Sequence, residues 1–363
     1  MSSTDSDHAR QDTAQDTGHD ADELSRLGEF GLIARLTSGL ETRDDVVLAA
    51  GDDAALLDTG ADALLVATCD AQVEGKHFIR GLATDEEIGH KALAVNLSDI
   101  AAMGAEPRWA LVSLLIPDGL MLDALEHVYA GMRALARQYD VALVGGNIAA
   151  TTGPFCIDIT LLGMVARERA LRRDGARAND AILVTGTLGA AAAGVLWSMT
   201  HASFVDDASS APFSLEIRER IRRAMVAPRP QVAVGQALAA NGAVTAMLDI
   251  SDGLAADLWH ICEASQVGVV LEAAALPVDP AAAEVATACG RDPLSLALYG
   301  GEDYELLCTV AQADVAKALA AIAGAGGTGH VIGRVVNKAD GMRLHFSDGR
   351  LETLEPRGWD HLR

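Results

Sequence analysis

At five places in this 363-residue chain, Asp52/Asp53, Asp70, Asp99, Asp249/Asp252 and Glu302/Asp303, an apolar segment ends at a glycine or another small residue and delivers carboxylates. These places lie tens of residues apart, and that constrains the fold, because a merely solvated face does not keep setting acids at the ends of apolar segments. Like charges gathered by folding repel strongly unless cations lie between them. The pattern calls for a multi-metal site of hard oxygen ligands, suited to Mg²⁺ rather than zinc, since no His/Cys ligand set accompanies it. Each cluster alone says less. Asp52–Asp53 after Gly51 also fits an ordinary turn, whereas Asp99 in "NLSDIAAMG" lies on a largely apolar helix where an unpaired carboxylate is costly. In "LDISDGLAADLWH" one aspartate suffices to cap a helix, so Asp249 and Asp252 exceed that need, and Asp257 reads as a solvated helical position.

The formal charge of −23 argues against binding to nucleic acid or an anionic membrane, both of which require a basic surface. An acidic chain that handles phosphates needs metal ions as intermediaries. Five scattered cysteines without paired short spacings fit reduced thiols in a cytoplasm. No apolar run reaches membrane-spanning length, and the acidic, polar start of the chain is no signal peptide. Residues 1–22 read as a disordered tail.

From Leu27 the chain is patterned. "GEFGLIARL" suits a short helix, and "VVLAAGDDAALLD" a strand, a glycine turn with Asp52–Asp53, and a second strand. "ALLVATCD" reads as a buried strand ending at Asp70, followed by a loop with Glu74 and His77; an isolated histidine there is more often structural than a ligand. A helix through "EEIGHKALAVNLSDIAAMG" is expected to end at Gly104 and Pro107, and another spans roughly Leu122–Tyr139. "VALVGGN" reads as a buried strand opening into a Gly-Gly turn, and "CIDITLLGMV" as a strand. A basic loop then leads to a strand, a Gly-rich turn and an Ala-rich helix, which places a domain boundary near Arg173–Asp180. The expected organisation is the tail at 1–22, an N-terminal α/β domain at 23–173 and a C-terminal α+β domain at 174–363, with "THASFVDDASSAPFS" a polar surface loop. There is no GxxxxGK[ST] loop, no Gly-rich dinucleotide fingerprint and no G-x-S-x-G elbow. A nucleotide must then rely on metals, on backbone N–H groups of Gly145–Gly146, and on cations such as Arg173.

The ordered set "GEFGLIARL", "GDDAALL", "CDAQVEGKHF", "KALAVNLSDIAAMGAEP", "VGGN", "LDISDGLAADL", "GGEDYELL" and "GWDH" resembles the thiamine-monophosphate kinase family from about Leu27 to the C-terminus. Single pieces are shared with the wider superfamily of aminoimidazole-ribonucleotide synthetase-like ATP enzymes. The resemblance implies a two-domain fold whose N-terminal domain forms a barrel across a homodimer, and Mg²⁺-assisted phosphoryl transfer from ATP to thiamine monophosphate. It implies Mg²⁺ ligation at Asp52, Thr68, Cys69, Asp70, Asp99, Asn147, Asp249 and Asp252. Nucleotide contacts are implied for Tyr129, Gly146, Asn147, Arg173 and Ser251, and acceptor contacts for His77, Glu302 and Trp359. No residue is expected to act as general base, because a phosphate acceptor is already ionised. Ser251 and the helix N-terminus beside it are expected to donate to phosphate oxygens. Asn147 stands where the family has Asp, and Cys69 where it has Thr; an amide oxygen brings no charge to Mg²⁺, and a thiol is a poor ligand for it. Selenophosphate synthetase is disfavoured by the lack of a cysteine before the first acidic cluster, and the hydrogenase-maturation dehydratase by the "GWDHLR" terminus. A superfamily member acting on a purine intermediate and a non-catalytic nucleotide- or metal-binding module remain open at this point.

Overall fold

The structure, a computed structural model, describes residues 27–29, 31–38, 43–199, 204 and 213–359. The acidic tail at 1–22, Phe30 and most of the polar loop at 200–214 lie outside the described residues. Residues 44–358 form one compact unit. The other unit contributes helical residues 27–29 and 31–37, and Trp359.

Strands β1 (Val46–Leu48), β2 (Ala55–Asp58), β3 (Ala63–Val73), β4 (Glu106–Pro117), β5 (Ala142–Thr151) and β6 (Cys156–Ala166) make a sheet ordered β1-β2-β3-β6-β4-β5. Only β4 and β5 pair in parallel. A second sheet follows in sequence: β7 (Ala181–Thr185), β8 (Val244–Asp249), β9 (Val267–Glu272), β10 (Leu306–Val310), β11 (Gly329–Asn337), β12 (Met342–His345) and β13 (Leu351–Thr353), ordered β13-β12-β9-β11-β7-β10-β8. The first sheet does not close on itself within the described residues, and β1 and β5 are its edges.

Four details differ from the sequence expectations. Asp70 does not end its strand: β3 runs on to Val73, held by an unbroken antiparallel register with β6. Pro107 lies inside β4, beside a register shift, which is where a strand tolerates a residue without an N–H. Gly145 and Gly146 form no turn; they continue β5 opposite Leu111 and Val112. A Cβ on Gly146 would lie 1.8 Å from the Val112 carbonyl oxygen, so glycine is required there by strand crowding. Nor is β5 buried: it is an exposed edge, with Ile148 69% accessible.

The axis of the compact unit is α1 (Asp85–Ala102), started by a capping box in which Thr84 and Glu87 exchange side-chain and backbone hydrogen bonds. It packs on β3 and β6, on α2 (Leu122–Gln138) and on β8 of the second sheet. Two glycines allow close approach to α2, since a Cβ on Gly89 would meet the Val128 carbonyl oxygen at 1.8 Å and one on Gly131 would meet that of Glu86 at 1.9 Å. Ile88, Leu93, Leu97 and Ile100 are fully buried, each contributing about 1.5–3 kcal/mol of burial. The buried middle of α1 also carries polar side chains. Lys91, Ser98 and Asp99, at i, i+7 and i+8, share one face.

Candidate active site

Four elements from both halves of the chain deliver one carboxylate cluster. Asp53 comes from the loop between β1 and β2, Asp99 from α1, and Asp249 from the last position of β8; one ligand atom of each lies within 4.8 Å of the others. Thr68 and Asp70 come from the inward face of β3. The Thr68 hydroxyl donates to Asp99 Oδ2, and Ser98 donates to Asp249 Oδ2 at 2.5 Å.

Burial, followed by the charges of Asp70, Asp249 and Asp53, holds the Asp99 carboxyl well above the usual carboxylate range. Burial, then Asp53, pushes Asp249 up to about 8, and burial, then Asp53, pushes Asp52 up to about 6. Asp53 is raised mainly by burial, against the pull of Arg173. Its Oδ2 is buried with no hydrogen-bond partner among the described residues. An orphaned buried carboxylate oxygen amid three mutually repelling acids is the environment a hard divalent cation relieves, so the donor set fits Mg²⁺.

Asp52 and Asp53 divide their roles. Asp52 Oδ2 accepts from the Arg173 backbone N–H at 3.0 Å, while Arg173 Nη2 donates to Asp53 Oδ1 at 2.5 Å. The residue turned to Asp99 and Asp249 is therefore Asp53, whereas the resemblance implied its neighbour Asp52 as the ligand. Arg173 lies at the cluster, with its guanidinium engaged by these carboxylates.

The aspartates of "LDISDGLAADLWH" separate as well. Asp257 is not solvated: it is 4% exposed in α6 (Leu254–Ser265), and its Oδ2 accepts from the backbone N–H groups of Asp252 (3.1 Å) and Gly253 (2.9 Å). This carboxylate caps its own helix from inside the first turn. These two N–H groups are thus committed to Asp257. The turn is further fixed by the loop after helix Pro293–Tyr299. Glu302 N donates to Ser251 O at 2.7 Å and Tyr304 N to Ile250 O at 2.8 Å, while a Cβ on Gly301 would lie 2.4 Å from Ser251 O. Glu302 and Tyr304 adopt positive φ (67° and 50°), strained for residues with a Cβ and held by these bonds. Gly358 also abuts this turn, with a hypothetical Cβ 2.6 Å from Asp252 O.

A pocket lies against α1 at Ile88 and Lys91, roughly 12 Å along the helix from Asp99. Its walls are apolar, from Phe78, Ile79 and Leu82, from Val195 of α3 (Ala190–Ser198) and from Met225 of α4 (Leu215–Val226); its polar groups include His77, Lys91 and Glu302. The Val73 N–H donates to His77 Nδ1 at 3.0 Å, which leaves the imidazole proton on Nε2.

Other residues are not brought into the cluster. Cys69 follows Thr68 on β3 and so points to the other face, where its exposed Sγ donates to Asp158 Oδ1 at 3.2 Å. Asn147 pairs with Ser113, and Ser113 with Asp158, so it shares the Cys69 face rather than that of Thr68 and Asp70. Three strand spacings, roughly 14 Å, separate its strand from β3. Gly146 lies on the same edge strand. Tyr129 in α2 is half-buried against the core of α1 and the first sheet, and burial raises its phenol. Trp359 is 49% exposed.

Comparison with known proteins places this geometry in a family. The models of the AIR synthase related protein N-terminal and C-terminal domains match residues 51–165 and 177–344. The thiamine-monophosphate kinase of Escherichia coli (strain K12) is 38% identical over 339 residues, covering 92% of this chain and 98% of that protein. That of Aquifex aeolicus (strain VF5) is 34% identical, covering 93% and 99%. A solved structure described as AaThiL complexed with AMPPCP and TMP superposes with a TM-score of 0.79 at 31% identity, covering 93% of this chain and 98% of that one. The hydrogenase maturation protein HypE in complex with ATP, 24% identical with a TM-score of 0.66, shares the fold. The chain belongs to the AIR synthase related proteins and, within them, to the thiamine-monophosphate kinase family.

Proposed function

We propose that the protein transfers the γ-phosphoryl group of ATP to the phosphate of thiamine monophosphate, yielding ADP and thiamine diphosphate. The observation that carries this reading is the Asp53–Asp99–Asp249 cluster, assembled from both halves of the chain on the same helix, α1, that lines a pocket with apolar walls and a few polar groups. The relatives named above act as independent support.

Asp53, Asp99 and Asp249, with Asp52, Thr68, Asp70 and Asp252 around them, would hold Mg²⁺ ions. Bound there, Mg²⁺ supplies neutralisation of the phosphate charges that otherwise keep two polyanions apart. The chain's own contribution is to fix the site before substrates arrive. Ser98 and Thr68 set the rotation of two carboxylates, and Arg173 balances Asp52 and Asp53. The Ser251–Glu302 backbone bond locks two loops together. No side chain has to remove a proton, because the attacking phosphate oxygen is already ionised; catalysis is positioning plus charge neutralisation. His77 Nε2–H and the Glu302 carboxylate face the acceptor in this scheme; Arg173 and Ser251 are assigned to the nucleotide. The thiol chemistry, five free cysteines, suits the cytoplasm.

We also propose a homodimer. Trp109, Leu111 and Leu115 of β4 and Val144 and Ile148 of the edge strand β5 leave an apolar stretch exposed, which a second copy would cover while completing a barrel. Sedimentation should give twice the chain mass for the wild type and a single chain for Leu111→Asp/Leu115→Asp; a monomeric wild type would refute the arrangement.

The function is tested by incubating the protein with ATP, Mg²⁺ and either thiamine monophosphate or free thiamine, and resolving the thiamine phosphates. Thiamine diphosphate from the monophosphate alone supports the reading. Tight Mg²⁺–ATP binding without product from either acceptor would favour a purine-type substrate or a non-catalytic nucleotide module.

A further inference from the structure

We infer that Lys91 is a positioning residue for the acceptor, acting through Glu302 and the backbone of His77. This rests on the reading that the pocket takes thiamine monophosphate.

The Lys91 side chain is 4% exposed on a helix otherwise packed in apolar surroundings. An ammonium so buried survives only if its N–H groups are matched. Two of them are matched across the two halves of the chain: Nζ donates to Glu302 Oε1 at 2.6 Å and to the His77 carbonyl oxygen at 2.9 Å. Both partners line the pocket, and both are already constrained. His77 receives the Val73 N–H on its ring, and Glu302 is held at positive φ by its bond to Ser251. Lys91 ties these two fixed points to α1.

The consequence is geometric. Lys91 commits Glu302 Oε1, so a ligand amine or ring cation meets the other oxygen, in a plane set by the lysine. Neutralising that carboxylate also keeps the pocket from becoming one more repelling acid near the cluster. Eight residues of helix, roughly 12 Å, separate Lys91 from Asp99. An elongated phosphate monoester, with its ring end in the pocket and its phosphate toward Asp99, spans that interval. A lysine needed only for packing would have no reason to bridge two pocket-lining residues from different halves.

The test is steady-state kinetics and melting of Lys91→Met, Glu302→Gln and the double variant, with wild type in parallel. Loss of one charge-assisted hydrogen bond should raise KM for thiamine monophosphate about tenfold to a hundredfold, with KM for ATP and the Mg²⁺ dependence unchanged. Because Lys91 acts through Glu302, the double variant should be no worse than Glu302→Gln alone. It also removes the unbalanced buried charge, so it should fold even if Lys91→Met does not. Equal losses for both substrates that track melting temperature would overturn the inference in favour of a structural lysine, as would an unchanged acceptor KM in Lys91→Met. A double variant whose acceptor defect is the product of the two single defects would overturn the route through Glu302. Wild type inactive on thiamine monophosphate would instead overturn the functional reading, and with it the substrate named here.

Discussion

Asp99→Asn should lower kcat by about a hundredfold to a thousandfold, the range lost when one preorganised electrostatic stabiliser is removed, while making the metal-free protein harder to melt. The two effects have one cause. Asp99 lies half-buried at the meeting point of Asp53, Asp70 and Asp249, and desolvation followed by their charges raises its pKa. In the unfolded chain it is an ordinary ionised carboxylate at neutral pH, so folding without metal forces it to take up a proton or endure repulsion. Asparagine has the same shape, keeps an oxygen for the Thr68 hydroxyl, and removes that penalty. Each kcal/mol recovered would appear as about 2–4 °C in melting temperature. The same substitution withdraws a negative ligand from the cation and should cut turnover even at saturating ATP and acceptor. Differential scanning calorimetry in chelator, beside kinetics across a Mg²⁺ series, reads both. A near-normal kcat at high Mg²⁺ would remove Asp99 from the metal site, and a lower metal-free melting temperature would mean that its carboxylate stabilises the fold.

What the sequence displays of this site is the part tied to local pattern. Asp99 on an apolar helix is conspicuous because the surrounding residues announce burial, and Asp249 because an apolar strand leads straight to it. Such signals do not say which way a side chain turns once the chain has folded. Asp52 and Asp53 are adjacent and chemically identical, and only the arrival of Arg173, more than a hundred residues later, assigns one to the arginine backbone and the other to the cluster. Strand alternation was available in principle: Thr68 and Asp70 face inward, so Cys69 between them faces outward. Reading the strand as wholly buried hid it, since alternation then has no solvent side to refer to. Gly145–Gly146 reads as a turn because glycine pairs usually are turns; here a neighbouring carbonyl 1.8 Å from a would-be Cβ demands glycine in an extended strand.

Asp257 and Lys91 were missed for a common reason. Each looks like an ordinary charged residue on an amphipathic helix, but the faces of α1 and α6 that carry Lys91 and Asp257 are buried. A buried charge must then have a partner. Asp257 finds the N–H groups of Asp252 and Gly253, and Lys91 finds Glu302 and His77. The sequence signal that could have identified both is helix composition. Helix α1 has Ala, Leu, Val or Ile on every side, so any lysine within it is answered by an acid brought in from elsewhere.

Mg²⁺ affinity should rise steeply with pH, and metal-free stability should fall over the same window. Asp52 is raised to about 6 and Asp249 to about 8, chiefly by burial and then by Asp53, and Asp99 is raised well above the usual carboxylate range by burial and its acidic neighbours. A carboxyl raised in the folded state holds its proton where the unfolded chain has lost it. Its contribution to stability is therefore complete below the unfolded value, near 4, and is lost as pH rises through the folded value. The metal-free protein should lose melting temperature from about pH 5 to pH 8, opposite to the usual behaviour of salt-bridged carboxylates. A cation entering the cluster must displace those protons, so each one displaced adds about a factor of ten in affinity per pH unit below the folded pKa. One to two protons predict about a tenfold to hundredfold gain between pH 6 and 7. Calorimetric titration of Mg²⁺ in two buffers of different ionisation enthalpy counts the protons directly. Release of none, with affinity flat across this range, would mean that the acids are ionised before metal arrives and that some other cation, with Arg173 the nearest candidate, already balances them.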